Sequence, residues 1–187
     1  MEINLLRHGR PAIDTSERIV PADFRTWMAR YDRASVSDRP PQHVLTASRT
    51  CRFTVCSDLP RSTACAQLLG VSADLIDPVY REAELPAMPW SGPKMHAGRL
   101  SVWARAAWVC GYSLDCETYG AARGRAERGA DRLIELALSH QQVLLVGHGM
   151  MNRMIGKMLR KRKWRSVRAA RVNRYWGIST YLPSSEG

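Results

Sequence analysis

Two apolar stretches each end on a histidine followed by glycine: Ile3-Asn4-Leu5-Leu6-Arg7-His8-Gly9 and Val143-Leu144-Leu145-Val146-Gly147-His148-Gly149. Arg61 and Glu82 lie between them in the chain. Arginines and histidines gathered in one place make a phosphate site. A neutral imidazole can attack phosphorus while guanidinium groups hold the equatorial oxygens, and a carboxylate can protonate the leaving oxygen. A single histidine at a strand end is more often structural than catalytic. Two of them beside glycine, with arginine at hand, bring the two readings level.

The elements that must position these groups follow from periodicity. Ile3, Leu5 and Leu6 read as a short buried strand that Gly9 ends, and residues 143–147 as a second. In open α/β sheets, ligands bind beyond the C-terminal ends of the strands, which is where His8 and His148 emerge. Arg52 to Ser57 predicts another strand. Leu59-Pro60-Arg61-Ser62 then opens a helix that Gly70 stops, so Arg61 sits in a first helical turn, where free N–H groups and the dipole favour an anion. Pro78 to Glu84 predicts a third strand, on which Glu82 and Glu84, two residues apart, share a face.

Helices are expected from Pro21 to about Ala34, with Phe24, Trp27, Met28 and Tyr31 as core, and as a turn at Val44 to Ser48. From Leu85 to Cys116 the prolines and tryptophans make an irregular segment with a short helix around Leu100 to Cys110. This is a candidate lid, with Trp90, Lys94 and His96 as candidate contacts. A long helix from Glu117 to Ser139, a helix from Met150 to Leu159 and a final strand from Val172 to Leu182 complete the pattern. The 187 residues suit one domain with a lid-like insertion at about 85–116. The fold class expected is a three-layer α/β/α sandwich with a mostly parallel central sheet.

Composition narrows the class. Hydrophobic residues at 45% exclude a disordered chain, and no apolar run approaches the ~20 residues of a membrane span. The chain runs from Met1 straight into its first strand, which reads as leaving no room for a signal peptide. Cys51, Cys56, Cys65, Cys110 and Cys116 show no CxxC spacing and read as reduced packing residues, which fits a cytoplasmic protein. The net charge of +11 favours anionic partners. Eight cations lie between Arg160 and Arg174. Such runs are more often solvated faces, although Trp164 among them leaves a nucleic-acid surface as an alternative. Zinc held by His8 and His148 is the weaker chemical reading, with no HxxxH, HxH or cysteine set beside them. Cys56 to Arg61 is one residue too short for a Cys-x5-Arg phosphatase loop.

Leu5-Leu6-Arg7-His8-Gly9 resembles the signature of the histidine phosphatase (phosphoglycerate mutase-like) superfamily. Ser57-Asp58-Leu59-Pro60-Arg61-Ser62 resembles its second motif, Arg81-Glu82 its acid segment and Val146-Gly147-His148-Gly149 its last motif. The resemblance implies that His8 is the nucleophile that becomes phosphohistidine. It implies that Arg7, Arg61 and His148 hold the phosphoryl group, and that Glu82 donates a proton to the leaving group. No metal or cofactor is implied, since the arginines supply the positive charge. The implied activity is a metal-independent phosphomonoesterase acting on a phosphorylated metabolite or phosphoprotein. A phosphoglycerate mutase, or a weakly active relative that binds nucleic acid, is the alternative. The chain departs from the family pattern at Arg10-Pro11, at Cys65 and at Ala83-Glu84-Leu85-Pro86. Arg10 is a candidate contact for a second anionic part of the substrate.

Overall fold

A computed structural model describes residues 1–169 and 174–184. The two histidine-bearing stretches are neighbouring strands. β1 (Glu2–Arg7) and β6 (Gln142–Gly147) run parallel and in register from the Glu2–Gln142 pair to the Arg7–Gly147 pair. β3 (Phe53–Cys56) pairs with β6 on its other side, again parallel, with Cys56 opposite Val146. The two-residue β4 (Leu75–Ile76) extends that edge. On the far side of β1 lies β8 (Ile178–Pro183), antiparallel, and beyond it β7 (Trp164–Arg168). The order is β4-β3-β6-β1-β8-β7, so the sheet is mostly parallel as expected.

The alternation of side chains divides the core in two. Ile3, Leu5, Val143 and Leu145 face α5 (Tyr119–His140) and α6 (Gly149–Lys161), whose Ala126, Ala130, Leu133, Met154 and Ile155 complete that layer. Leu6, Leu144, Val146 and Cys56 face the opposite way, toward α2 (Gln42–Arg49) and α3 (Pro60–Leu69). That is the three-layer sandwich. α3 starts on Pro60, which gives up no hydrogen bond in a first turn, and stops at Gly70, where φ is 72°. Cys56 and Cys65 are buried in the second layer, and burial pushes their thiols up to about 11 and about 12. They are core residues, inert as nucleophiles.

A third apolar cluster stands apart from the sheet. It joins α1 (Phe24–Arg33) to α4 (Ala97–Val109) through Phe24, Trp27, Met88, Leu100 and Ala104. A two-residue ribbon, β2 (Arg18–Ile19) with β5 (Met95–His96), ties the same regions together. The segment expected to be a lid is therefore packed on α1 through its own small core.

Three expectations need correction. Pro78–Glu84 is not a strand. Pro78–Tyr80 is a 3-10 turn in which the Asp77 carboxylate accepts from Val79 N at 2.9 Å. The carbonyls of Val79, Arg81 and Glu82 accept from the Arg125 guanidinium instead of a neighbouring strand. The final strand begins at Ile178 rather than Val172, with Tyr175 and Trp176 in the preceding turn; Val172 itself lies outside the described residues. The basic run contains an unexpected edge strand, β7, whose Arg165 and Arg168 are exposed. Within the same run Arg162 is paired with Asp131 and Glu127, and Arg171 lies outside the described residues. No helix among the described residues is long and apolar enough to cross a membrane.

Candidate active site

Register brings the two histidines together. Because Arg7 pairs with Gly147, His8 and His148 leave adjacent strands side by side, and His8 N donates to Gly147 O at 3.0 Å. Their rings lie 5.1 Å apart. β3 leaves the sheet next to them: Ser57 Oγ is 2.6 Å from His148 Nε2. Ser62 locks this exit, accepting from Ser57 N at 3.0 Å and donating to Val146 O at 2.5 Å. Both histidines are buried, His8 at 2% and His148 at 0% exposure.

His8 Nδ1 lies 2.7 Å from the Gly9 carbonyl oxygen. A carbonyl can only accept, so Nδ1 carries the ring proton and Nε2 keeps its lone pair. Burial, aided by the nearby Arg61 charge, lowers the His8 pKa to about 3, so the ring is neutral near pH 7. His148 is held neutral in the same way, by burial first and Arg61 second. Its Nδ1 is buried without a hydrogen-bond partner among the described residues.

The arginines come from different elements. Arg7 ends β1, and its guanidinium lies over the Tyr175 ring at 4.4 Å. Arg61, in the first turn of α3, is fully buried and stacks over the Tyr31 ring at 4.9 Å. Its Nη1 donates to the Asp32 carboxylate at 3.1 Å, while its buried Nε has no hydrogen-bond partner among the described residues. Burial beside Tyr175 raises the Tyr31 pKa to about 12, so that hydroxyl keeps its proton.

Glu82 reaches the site from an irregular segment. Its Oε2 accepts from Met150 N at 3.1 Å and its Oε1 from Met151 N at 2.9 Å. These are the first-turn amides of α6, which has no side-chain cap of its own at His148. The carboxylate thus caps the helix that follows His148, a position that suits negative charge. Glu84 is held differently: its Oε2 accepts from Glu117 N at 2.9 Å. The strand expected to give the two carboxylates a common face is absent, yet both line the same cleft.

A cleft of about 790 Å³ opens above this cluster. Arg7, Arg61, Glu82, Tyr31, Asp32 and Tyr175 are among its lining residues, whereas His8 and His148 lie one layer beneath. Arg10 does not line it. Arg10 is exposed, with its backbone N bonded to Asp38 Oδ1 at 2.7 Å. Trp90, Lys94 and His96 do not line it either; His96 Nδ1 is 2.7 Å from Ser16 O. The 85–116 segment contributes Leu85, Pro86, Val102 and Arg105 instead. Among the described residues no three His, Cys, Asp or Glu groups stand where they could share a metal ion.

Sequence reasoning missed Tyr31, Asp32, Tyr175 and Arg125. Tyr31 carries the helical spacing of a core residue, and Arg125 looks like any cation on a long helix. Nothing local marks them, because each meets the site across more than 25 residues of chain.

The chain resembles, at 18% identity and a TM-score of 0.54, a phosphoglycerate mutase from Thermus thermophilus, covering 98% of this chain and 89% of that one. At the same identity and TM-score it resembles a putative alpha-ribazole-5'-P phosphatase from Escherichia coli, covering 85% and 79% of the two chains. A mycobacterial glucosyl-3-phosphoglycerate phosphatase gives 18% identity, a TM-score of 0.54 and coverage of 86% and 79%. These likenesses concern the fold. Comparison with curated proteins finds no match. The sequence model of the histidine phosphatase superfamily, branch 1, matches residues 38–183, most of the chain, and the strand carrying Arg7 and His8 completes the same sheet ahead of that match. The chain therefore belongs to the histidine phosphatase superfamily, branch 1.

Proposed function

We propose that this chain is a phosphomonoesterase working through a phosphohistidine on His8. The observation that carries the reading is the state of His8: neutral, with Nδ1–H fixed on the Gly9 carbonyl and the Nε2 lone pair available. Nε2 attacks phosphorus, forming an N–P bond as the P–O bond to the leaving group breaks. Arg7 and Arg61 hold the phosphoryl oxygens, with Arg61 Nε offering a buried donor that lacks a partner among the described residues. His148 Nδ1 can donate to the same group when the Ser57 hydroxyl donates to His148 Nε2. Glu82 gives a proton to the departing oxygen, then takes one from the water that cleaves the N–P bond and releases phosphate.

The test is twofold. His8→Ala abolishes phosphate release from every phosphomonoester while circular dichroism stays native. Wild type quenched during turnover carries an acid-labile, base-stable phosphoryl group. Activity surviving in the mutant, or lost from wild type on EDTA treatment, overturns the mechanism. Transfer of the phosphoryl group to an organic acceptor in place of water would identify a mutase.

A further inference from the structure

The chain is strongly basic, yet its cleft is not. Six arginines and five carboxylates line the cleft, against a net charge of +11 for the whole chain. The arginines above the floor are already engaged. Arg25 pairs with Asp115 at 2.8 Å, Arg81 holds Asp58 through two bonds, and Arg125 holds Glu117 along with three backbone carbonyls. Arg105 donates to the carbonyls of Ala83 at 2.5 Å and Glu84 at 3.0 Å. A second anion drawn to Arg25, Arg81 or Arg125 would have to break an ion pair and would meet the freed carboxylate beside it, and at Arg105 it would have to displace two backbone carbonyls.

The walls offer something else. Met28 comes from α1, Leu59 from the start of α3, Leu85 and Pro86 from the irregular segment, and Val102, 70% exposed, from α4. Tyr31 and Tyr175 add ring faces next to the two floor arginines. The space, about 790 Å³, falls in the range of ~300–1,000 Å³ that holds drug-sized ligands, far more than a phosphoryl group fills. Apolar surface of this kind rewards an apolar guest through area removed from water, and gives an anion nothing in return for its desolvation.

We infer that the site selects a phosphomonoester with one phosphoryl group and an uncharged, largely apolar body of aryl size, and disfavours esters that carry a second anion such as a carboxylate or another phosphate. This deepens the phosphatase reading and rests on it for the phosphoryl position. The preference belongs to the walls and the chemistry to the floor, so the two can be measured separately.

The experiment is calorimetric binding of two non-hydrolysable probes to the full chain: naphthylmethylphosphonate and 3-phosphonopropanoate. The aryl probe is expected to bind roughly tenfold or more tightly, the advantage of burying an aromatic ring. Met28→Lys places a cation without a built-in partner on the wall and narrows that ratio. Val102→Lys does the same at an exposed position where folding is not at stake. Equal or tighter binding of the carboxylate probe, or a ratio unchanged in both variants, overturns the inference. Phosphate release from 2-naphthylethyl phosphate and from 3-phosphoglycerate is measured in parallel. Hydrolysis of both esters without preference overturns the selectivity and leaves the phosphatase reading standing. Selective probe binding without hydrolysis of either ester supports the selectivity and defeats the phosphatase reading.

Discussion

The floor of the cleft hangs on strand register: His8 and His148 leave neighbouring strands paired residue by residue from Glu2–Gln142 to Arg7–Gly147, and both are at most 2% exposed. The walls hang on no such ladder. α1 and the 85–116 segment meet through a separate apolar cluster, a two-residue ribbon joins Arg18–Ile19 to the same segment, and the cleft-lining Val102 is 70% exposed. The contrast teaches a division of labour. In the mechanism proposed above, the group that attacks phosphorus is fixed by backbone pairing inside the sheet, where moving it means breaking the sheet. Groups that only need to match a substrate's body sit on parts that can change without touching that ladder.

Glu82 tests the boundary between the two regions most sharply, since it comes from the wall segment but bonds to the floor helix α6. Glu82→Gln is expected to lose roughly 10²-fold or more on an alkyl phosphate, the scale of a lost general acid. On nitrophenyl phosphate the loss in single-turnover phosphorylation of His8 is much smaller, because nitrophenolate departs without a proton. Glu84→Gln, whose parent carboxylate faces Glu117 N, is mild on both. Equal losses of Glu82→Gln on the two esters would mean that Glu82 only positions α6.

Backbone space gives the next contrast. A Cβ on Gly9 would stand 2.5 Å from the side chains of Val36 and Asp38, in the connection between α1 and α2, and of Trp176, in the turn before β8. Gly9→Ala is expected to destabilise by about 1–3 kcal/mol, the usual cost of overpacking, and to displace the Gly9 carbonyl that sets the His8 tautomer. Gly92, in the 85–116 segment that packs on α1, meets nothing nearer than Trp90 at 3.8 Å. Gly92→Ala should leave urea midpoint and activity unchanged. Similar midpoints for the two variants would remove the distinction between floor and wall.

The sequence made most of the floor legible because its signals are local. An apolar run ending on Arg-His-Gly states both a strand and what emerges from it, and a Pro-Arg pair after Ser-Asp states a helix start. The walls are illegible in the sequence where the signal is tertiary. Pro78–Glu84 has the composition of a strand, but Asp77 turns its first residues, and Arg125, 43 residues beyond Glu82, takes the carbonyls a ladder would need. Trp90, Lys94 and His96 look like contacts by residue type, yet the loop carries them off the cleft. β7 was hidden by a charge run that reads as solvated surface. Its exposed arginines fit an edge strand, whose charges also discourage pairing with another chain.

Burial of the two histidines makes the floor the acid-sensitive region. The unfolded His8 takes a proton near 6.5, whereas the folded one does so only near 3. Between these values the unfolded chain binds the extra proton, so stability is at its full value above pH 6.5 and is lost as pH falls toward 3. The slope is about 1.4 kcal/mol per pH unit for one such group. His148 acts in the same direction. Urea unfolding at pH 7 and pH 5 should show this loss, and His8→Ala should lower the slope by one proton. An unchanged slope in that variant would mean that His8 is already protonated in the fold.

Asp32 gives the smallest effect and the finest test of where the wall meets the floor. Its carboxylate accepts from Arg61 Nη1 at 3.1 Å, with Arg61 1% and Asp32 47% exposed. Under the proposed mechanism an incoming phosphoryl dianion meets an arginine whose charge is partly answered, and a like charge beside it. Asp32→Asn removes that charge but keeps an oxygen that can accept the same bond, so Arg61 stays in place. The half-exposed position limits the gain to the 0.2–1 kcal/mol typical of such pairs, or a KM lowered by about 1.4- to 5-fold. The turnover number should hardly change, because the interaction removed is present before and during phosphoryl transfer alike. Raising the salt concentration should shrink the difference from wild type. A KM that rises instead would show that the Asp32 charge orients Arg61 rather than competing with the substrate, and would make Asp32 part of the floor.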